Sequence, residues 1–232
     1  MAEPTKFLAD NPFAGDLGEL KPELAAAFEA PADQRVEAIV AALGRVIIPV
    51  LPHAHPGAEK DPDGCPDSDL LQVDFPGGRQ ATPVFSSAEA LATWNPNARP
   101  VPMAIQQVAV AALKTGTGLI TLDHDQDTCT WLGRTAVIAL AVEGPWRAPW
   151  ADLEIPRRIS EKIGGELAGF HGVAIKPGQR GESIVEIAIN PGASDAEMMN
   201  IVQTVAAVIG SEEYVRARLD LVELRPVPAS NV

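Results

Sequence analysis

"VFSSAEALATWNPNARPVPM", Val84 to Met103, decides how the first two thirds of this chain fold. Val84 and Phe85 close a strand-like run, "RQATPVF". Ser86 or Ser87 then starts a helix, and Ser86 with Glu89 has the spacing of a capping box, in which each residue satisfies a free backbone N–H of the first turn. Leu91 points to the core side. Trp94 ends the helix, because Asn95-Pro96 cannot continue it. Arg99-Pro100-Val101-Pro102 reads as an extended connection into the next helix. Strand and helix therefore alternate here, and the region is a mixture of both.

Working toward the N-terminus, "DLLQVDF" and "RQATPVF" flank Pro76-Gly77-Gly78, a hairpin signal. Pro52 to Ser68 is polar, broken by Pro and Gly, and reads as an exposed loop. "RVIIPVL", Arg45 to Leu51, reads as a strand whose Pro49 marks an edge or an irregular end. Leu24, Ala27 and Phe28 share a helical face before Pro31. Asp33 is placed to cap a second helix carrying Val36, Ile39, Val40 and Leu43, with Gly44 at its end.

Toward the C-terminus, Met103 to Thr115 has an apolar stripe of Ile105, Val108, Ala109 and Ala112. "GLITLD" and "DTCTWL" read as two strands, and "GRTAVIALAVEG" as a helix. "PWRAPWADLEIP", Pro145 to Pro156, holds three prolines in twelve residues and reads as a linker. Beyond it come a helix over Arg157 to Leu167, a hairpin around Pro177 to Gly181, a helix opened by Ser194 and Glu197 and closed by Gly210, and a final strand in "ARLDLVELRP". The fold class expected is α+β: a mixed sheet packed with helices over residues 22–147, then a small α/β sandwich over residues 157–228, behind a tail of residues 1–21.

Composition narrows the function. Apolar residues make up 46% of the 232, enough for a substantial core. Acidic residues outnumber basic ones 31 to 18, a formal charge of −13. That excess disfavours nucleic acid and anionic membrane surfaces, both of which select for Lys and Arg. Two cysteines make no disulfide framework, and the first residues show no basic-then-apolar leader, so a cytoplasmic setting is expected.

"VEAIVAALGRVIIPVLP", "TPVFSSAEALATWNPNARPVPM" and "EGPWRAPW" together resemble the SseB family, the enhanced-serine-sensitivity proteins, in its actinobacterial form. The resemblance covers most of Leu24 to Trp150, and the remainder is similar to the family's C-terminal domain. It implies a phenotype linked to serine rather than a known reaction, and it brings no catalytic residues with it.

The residues carry few chemical signals. His53, His55 and Cys65 share one loop with Asp61, Asp63, Asp67 and Asp69. A His-x-His pair sets two imidazoles on one side of an extended segment, so these three are the candidate metal ligands. The competing reading is a solvated acidic loop, since four defined ligands do not emerge. "DHDQDTC" lacks the Gly and the final acid of a calcium loop and reads as a hairpin tip. Cys129 alternates within a strand and reads as a small core residue. There is no G-x-S-x-G elbow, Walker A or dinucleotide fingerprint, and no cofactor is expected. Trp94, Trp146 and Trp150, with Arg99 nearby, are the candidate partner surface, against the alternative that each indole plugs a core gap. The leading reading is a non-enzymatic binding or adaptor protein with a protein partner. Its rivals are a metal-dependent sensor or enzyme on the His53/His55/Cys65 loop, and an amino-acid binder with its ligand between the two subdomains.

Overall fold

The computed structural model describes residues 13, 15–51, 71–114 and 117–229. Two short helices come first, α1 (Pro22–Phe28) and α2 (Arg35–Ala42), burying Leu24, Ala27, Val36, Ile39 and Val40. Asp33 does not cap α2. The carbonyl of Pro31 already accepts from the N–H groups of Gln34 and Arg35, so the first turn has its partner in the backbone.

Strand β1 (Arg45–Val50) pairs antiparallel with Arg99–Ala104, which is a strand, β4, and not the free connection expected. The prolines explain both the pairing and why it was hidden. Pro102 faces Ile47 and Pro100 faces Pro49. Ile47 turns its own N–H and C=O to the other side, where both bond Phe85 at 2.8 Å. Pro100 and Pro102 therefore lie opposite positions where no ladder donor is required.

Beyond this pair lies a four-stranded sheet in the order β2-β3-β5-β6. Its strands are β2 (Val73–Phe75), β3 (Arg79–Val84), β5 (Ile120–Leu122) and β6 (Thr130–Leu132). Strands β2 and β3 form the expected hairpin. Strand β3 runs parallel to β5, and the crossover carries α3 (Ala88–Trp94) and α4 (Ile105–Lys114). Ser87, not Ser86, caps α3, accepting from Ala90 N–H at 3.0 Å. Ser86 instead donates its N–H to Asp123 Oδ1 at 2.7 Å. Helix α5 (Arg134–Ala141) follows β6.

The remaining elements are α6 (Glu154–Ile163), β7 (Phe170–Pro177), β8 (Ser183–Ile189), α7 (Asp195–Ser211), α8 (Glu213–Arg216) and β9 (Val222–Pro228). Helix α6 starts three residues earlier than expected, because Asp152 Oδ1 accepts from Glu154 N–H at 3.2 Å and Pro156 falls in the first turn, where no N–H is needed. Ser194 and Glu197 form both bonds of their capping box. Gly210 does not end α7, which continues to Ser211. Strand β8 lies between antiparallel β7 and parallel β9, and its Val185, Ile187 and Ile189 are buried under the helices. The architecture is α+β.

One core gathers Leu24, Ile39, Val84, Val108, Ile120 and Val137, and a second gathers Ile155, Ile159, Ile187, Val205 and Val215. A smaller cluster joins the two parts of the chain: Leu221 packs with Phe75, Ala81, Leu119 and Trp131. Among the described residues no helix is long and apolar enough to cross a membrane.

Candidate binding site

Helix α5 ends in a conformation that shapes the surface around it. Its chain turns through Glu143 at φ +51°, a left-handed geometry that glycine adopts more readily. Gly144 N–H then bonds Ala139 C=O at 2.9 Å, and the segment Gly144 to Trp146 runs out as a ridge. A groove flanks the ridge on each side.

The larger groove, about 960 Å³, lies between α2, the start of α4 and the end of α5. Ala38, Ala41 and Leu140 give it apolar walls, and Gln34, Glu37, Gln106, Glu143 and Trp146 line it as well. Trp146 Nε1 donates to Thr135 Oγ1 at 3.1 Å. Trp150 Nε1 donates to Glu37 Oε1 at 2.7 Å, and the two indoles meet edge to face with centroids 5.7 Å apart. Gln106 Nε2 donates to Glu143 Oε2 at 3.1 Å.

The second groove, about 500 Å³, is bounded by Ile138, Val142, Arg147, Asp152, Tyr214 and Arg218. Ile138 and Val142 leave 49% and 69% of their surface exposed. Asp152 is buried and its carboxylate is engaged on all sides: Tyr214 Oη donates at 2.9 Å, Arg218 Nε lies at 3.4 Å and Arg147 at 3.6 Å. The Tyr214 ring is held between the guanidinium groups of Arg218, at 3.5 Å, and Arg158, at 4.5 Å. Burial and the bond to Asp152 push the Tyr214 hydroxyl above its ordinary range. The cluster fastens α8 to the segment before α6. Asp152, Arg158, Tyr214 and Arg218 were missed in the sequence because they come from separate stretches.

The expected site residues fall in different places. Trp146 and Trp150 come together at the larger groove. Trp94 packs inward on Phe85, centroids 5.2 Å apart, and Arg99 stands exposed at the start of β4; neither lines either of these two grooves. His53, His55 and Cys65, with the acids around them, lie outside the described residues. Among the described residues no group of three or more His, Cys, Asp or Glu is placed to hold a metal. Asp123 and Asp125 both adopt left-handed backbone geometry at the β5–β6 tip. Asp123 spends its carboxylate on Ser86 N–H and the Thr128 hydroxyl, and burial raises its pKa against those bonds. Cys129 is buried, with Thr121 Oγ1 at 3.6 Å from its sulfur.

An α+β chain with an open, Trp-edged groove is the class that this geometry defines. Residues 20–138 match the family model of the SseB protein N-terminal domain, and this chain belongs to the SseB family. No curated protein matches it, and no solved structure does. The matched region carries Glu37, Ala41 and Gln106 of the larger groove. The opposite wall, from Leu140 to Trp146, lies just past it.

Proposed function

We propose that this chain is a non-enzymatic binding or adaptor module that seats a segment of a partner protein in the larger groove. The observation that supports it best is the groove itself: about 960 Å³, open, apolar along Ala38, Ala41 and Leu140, and edged by the indole of Trp146. A segment laid there removes apolar surface from water, which is the main driving force of association. Tryptophan at the edge supplies a large contact at low entropic cost. The exposed Ile138 and Val142 extend the apolar surface across α5.

An affinity pull-down at native salt, with bound proteins identified by mass spectrometry, tests the reading. Ala41 is exposed on α2, so Ala41→Arg obstructs the groove without disturbing the core. The wild-type chain should recover a partner that Ala41→Arg loses. Equal recovery by both moves the interface elsewhere. Recovery of nothing, together with a rise in melting temperature on adding serine, replaces the adaptor with an amino-acid binder. Growth of a deletion strain on serine tests the physiological link that the family name carries.

A further inference from the structure

We infer that the larger groove takes a basic, apolar segment, in which Lys or Arg side chains flank aliphatic ones. This rests on the binding reading above and names the partner's chemistry. Glu37 and Glu143 line the groove, and among the described residues no Lys, Arg or His does. Neither carboxylate has a salt-bridge partner among the described residues. Each accepts one hydrogen bond from a neutral group, Trp150 Nε1 for Glu37 and Gln106 Nε2 for Glu143. A carboxylate offers about four acceptor sites, so both have acceptor sites to spare. The second groove differs. Its Arg147 and Arg218 both face one buried carboxylate, Asp152, so its lining is net positive.

The backbone at Glu143 points the same way. A left-handed residue at a helix end is most cheaply a glycine, yet the chain places a glutamate there and the glycine one position later. Strain of this kind collects where a side chain has work to do. The indole of Trp146 adds a face on which a cation can rest. At longer range the charge of −13 steers a cationic segment inward and repels an acidic one.

Two synthetic peptides of equal length, one built from Lys, Leu and Ala and one from Glu, Leu and Ala, test this against the intact chain by fluorescence anisotropy. The basic peptide should bind, and more weakly as salt rises. Glu37→Gln with Glu143→Gln should weaken it about tenfold, the sum of two exposed charge pairs. Glu89→Gln with Glu213→Gln removes the same charge away from the groove and should leave affinity unchanged. The inference is overturned by equal binding of the acidic peptide, by no binding of the basic one at low salt, or by equal weakening in both double variants. Each of those results leaves standing a natural partner that Ala41→Arg releases, so the adaptor reading fails only on its own test.

Discussion

The carboxylate of Asp220 caps a helix that begins 86 residues earlier: its Oδ2 accepts from the backbone N–H of Arg134, first residue of α5, at 2.6 Å. Gly133 occupies the N-cap position and has no side chain to do this. A Cβ there would sit 3.0 Å from Asp220 Oδ2. Burial raises the Asp220 pKa, and the Arg134 N–H works against that rise. The bond ties the segment before β9 to the helix that carries the ridge between the two grooves.

Asp220→Ala should therefore cost about 1 kcal/mol, the usual worth of an N-cap. In a chain of this size the melting temperature falls by about 2–4 °C. Gly133→Ser alone should destabilise, because its Cβ crowds Asp220. Combined with Asp220→Ala it should restore part of the loss, since the serine hydroxyl can then cap α5. Additive losses in a double-mutant cycle would rule out the capping role.

Gly181 governs a second contact between the same parts of the chain. Its φ is +109°, and a Cβ would lie 2.3 Å from the carbonyl oxygen of Trp131. The neighbouring Arg180 carbonyl accepts from Trp131 N–H, and the Arg180 guanidinium lies 5.5 Å from the centre of the Trp131 ring. Gly181→Ala should cost about 2 kcal/mol from backbone strain and displacement. Hydrogen exchange at the Trp131 amide should accelerate along with the loss of stability. An amide that stays protected in the variant would show that the turn docks regardless of the glycine.

Acid should loosen the start of α6. Hydrogen bonds from Arg157 and Arg158 hold the Glu154 carboxyl down at about 2, against an ordinary value of 4.5. A depressed folded pKa contributes stability that is complete above 4.5 and is lost as pH falls toward 2. Glu154→Gln should melt below wild type at neutral pH, and the gap should close as pH approaches 2. The pair is exposed, so salt should narrow the gap too. A gap independent of pH would mean that packing, not charge, is responsible.

Glu143→Gly should separate stability from binding. Releasing the left-handed glutamate should raise stability by about 1 kcal/mol and the melting temperature by about 2–4 °C. The same change should weaken the basic peptide. A variant that melts lower would show that the Gln106 contact outweighs the backbone cost.

Local signals were legible wherever the deciding partners are neighbours in the chain. The Ser194–Glu197 box forms as spelled, and so does the hairpin at Pro76 to Gly78. The alternation of Val185, Ile187 and Ile189 puts them under the helices. Ser86 shows where this stops. Its spacing to Glu89 matches a capping box, but Asp123 takes its N–H from across the fold, and Ser87 becomes the cap. Strand β4 was unreadable because its prolines mark a connection unless the strand opposite leaves them without a required donor. The placement of the tryptophans was half legible: their identity was visible, but not that Trp94 turns in onto Phe85 while Trp146 and Trp150 meet.

By itself, then, the sequence determined the α+β class, the order of most elements and the family, since periodicity, caps and turn residues act within a few positions of one another. Tertiary structure alone decided which strand pairs with the proline-rich segment, which carboxylate caps α5 and which glutamates share a groove. The physical reason is that Glu37 and Glu143, like Asp220 and Arg134, are brought together by burial of apolar surface elsewhere. Their own identities place no demand on each other until the core has closed.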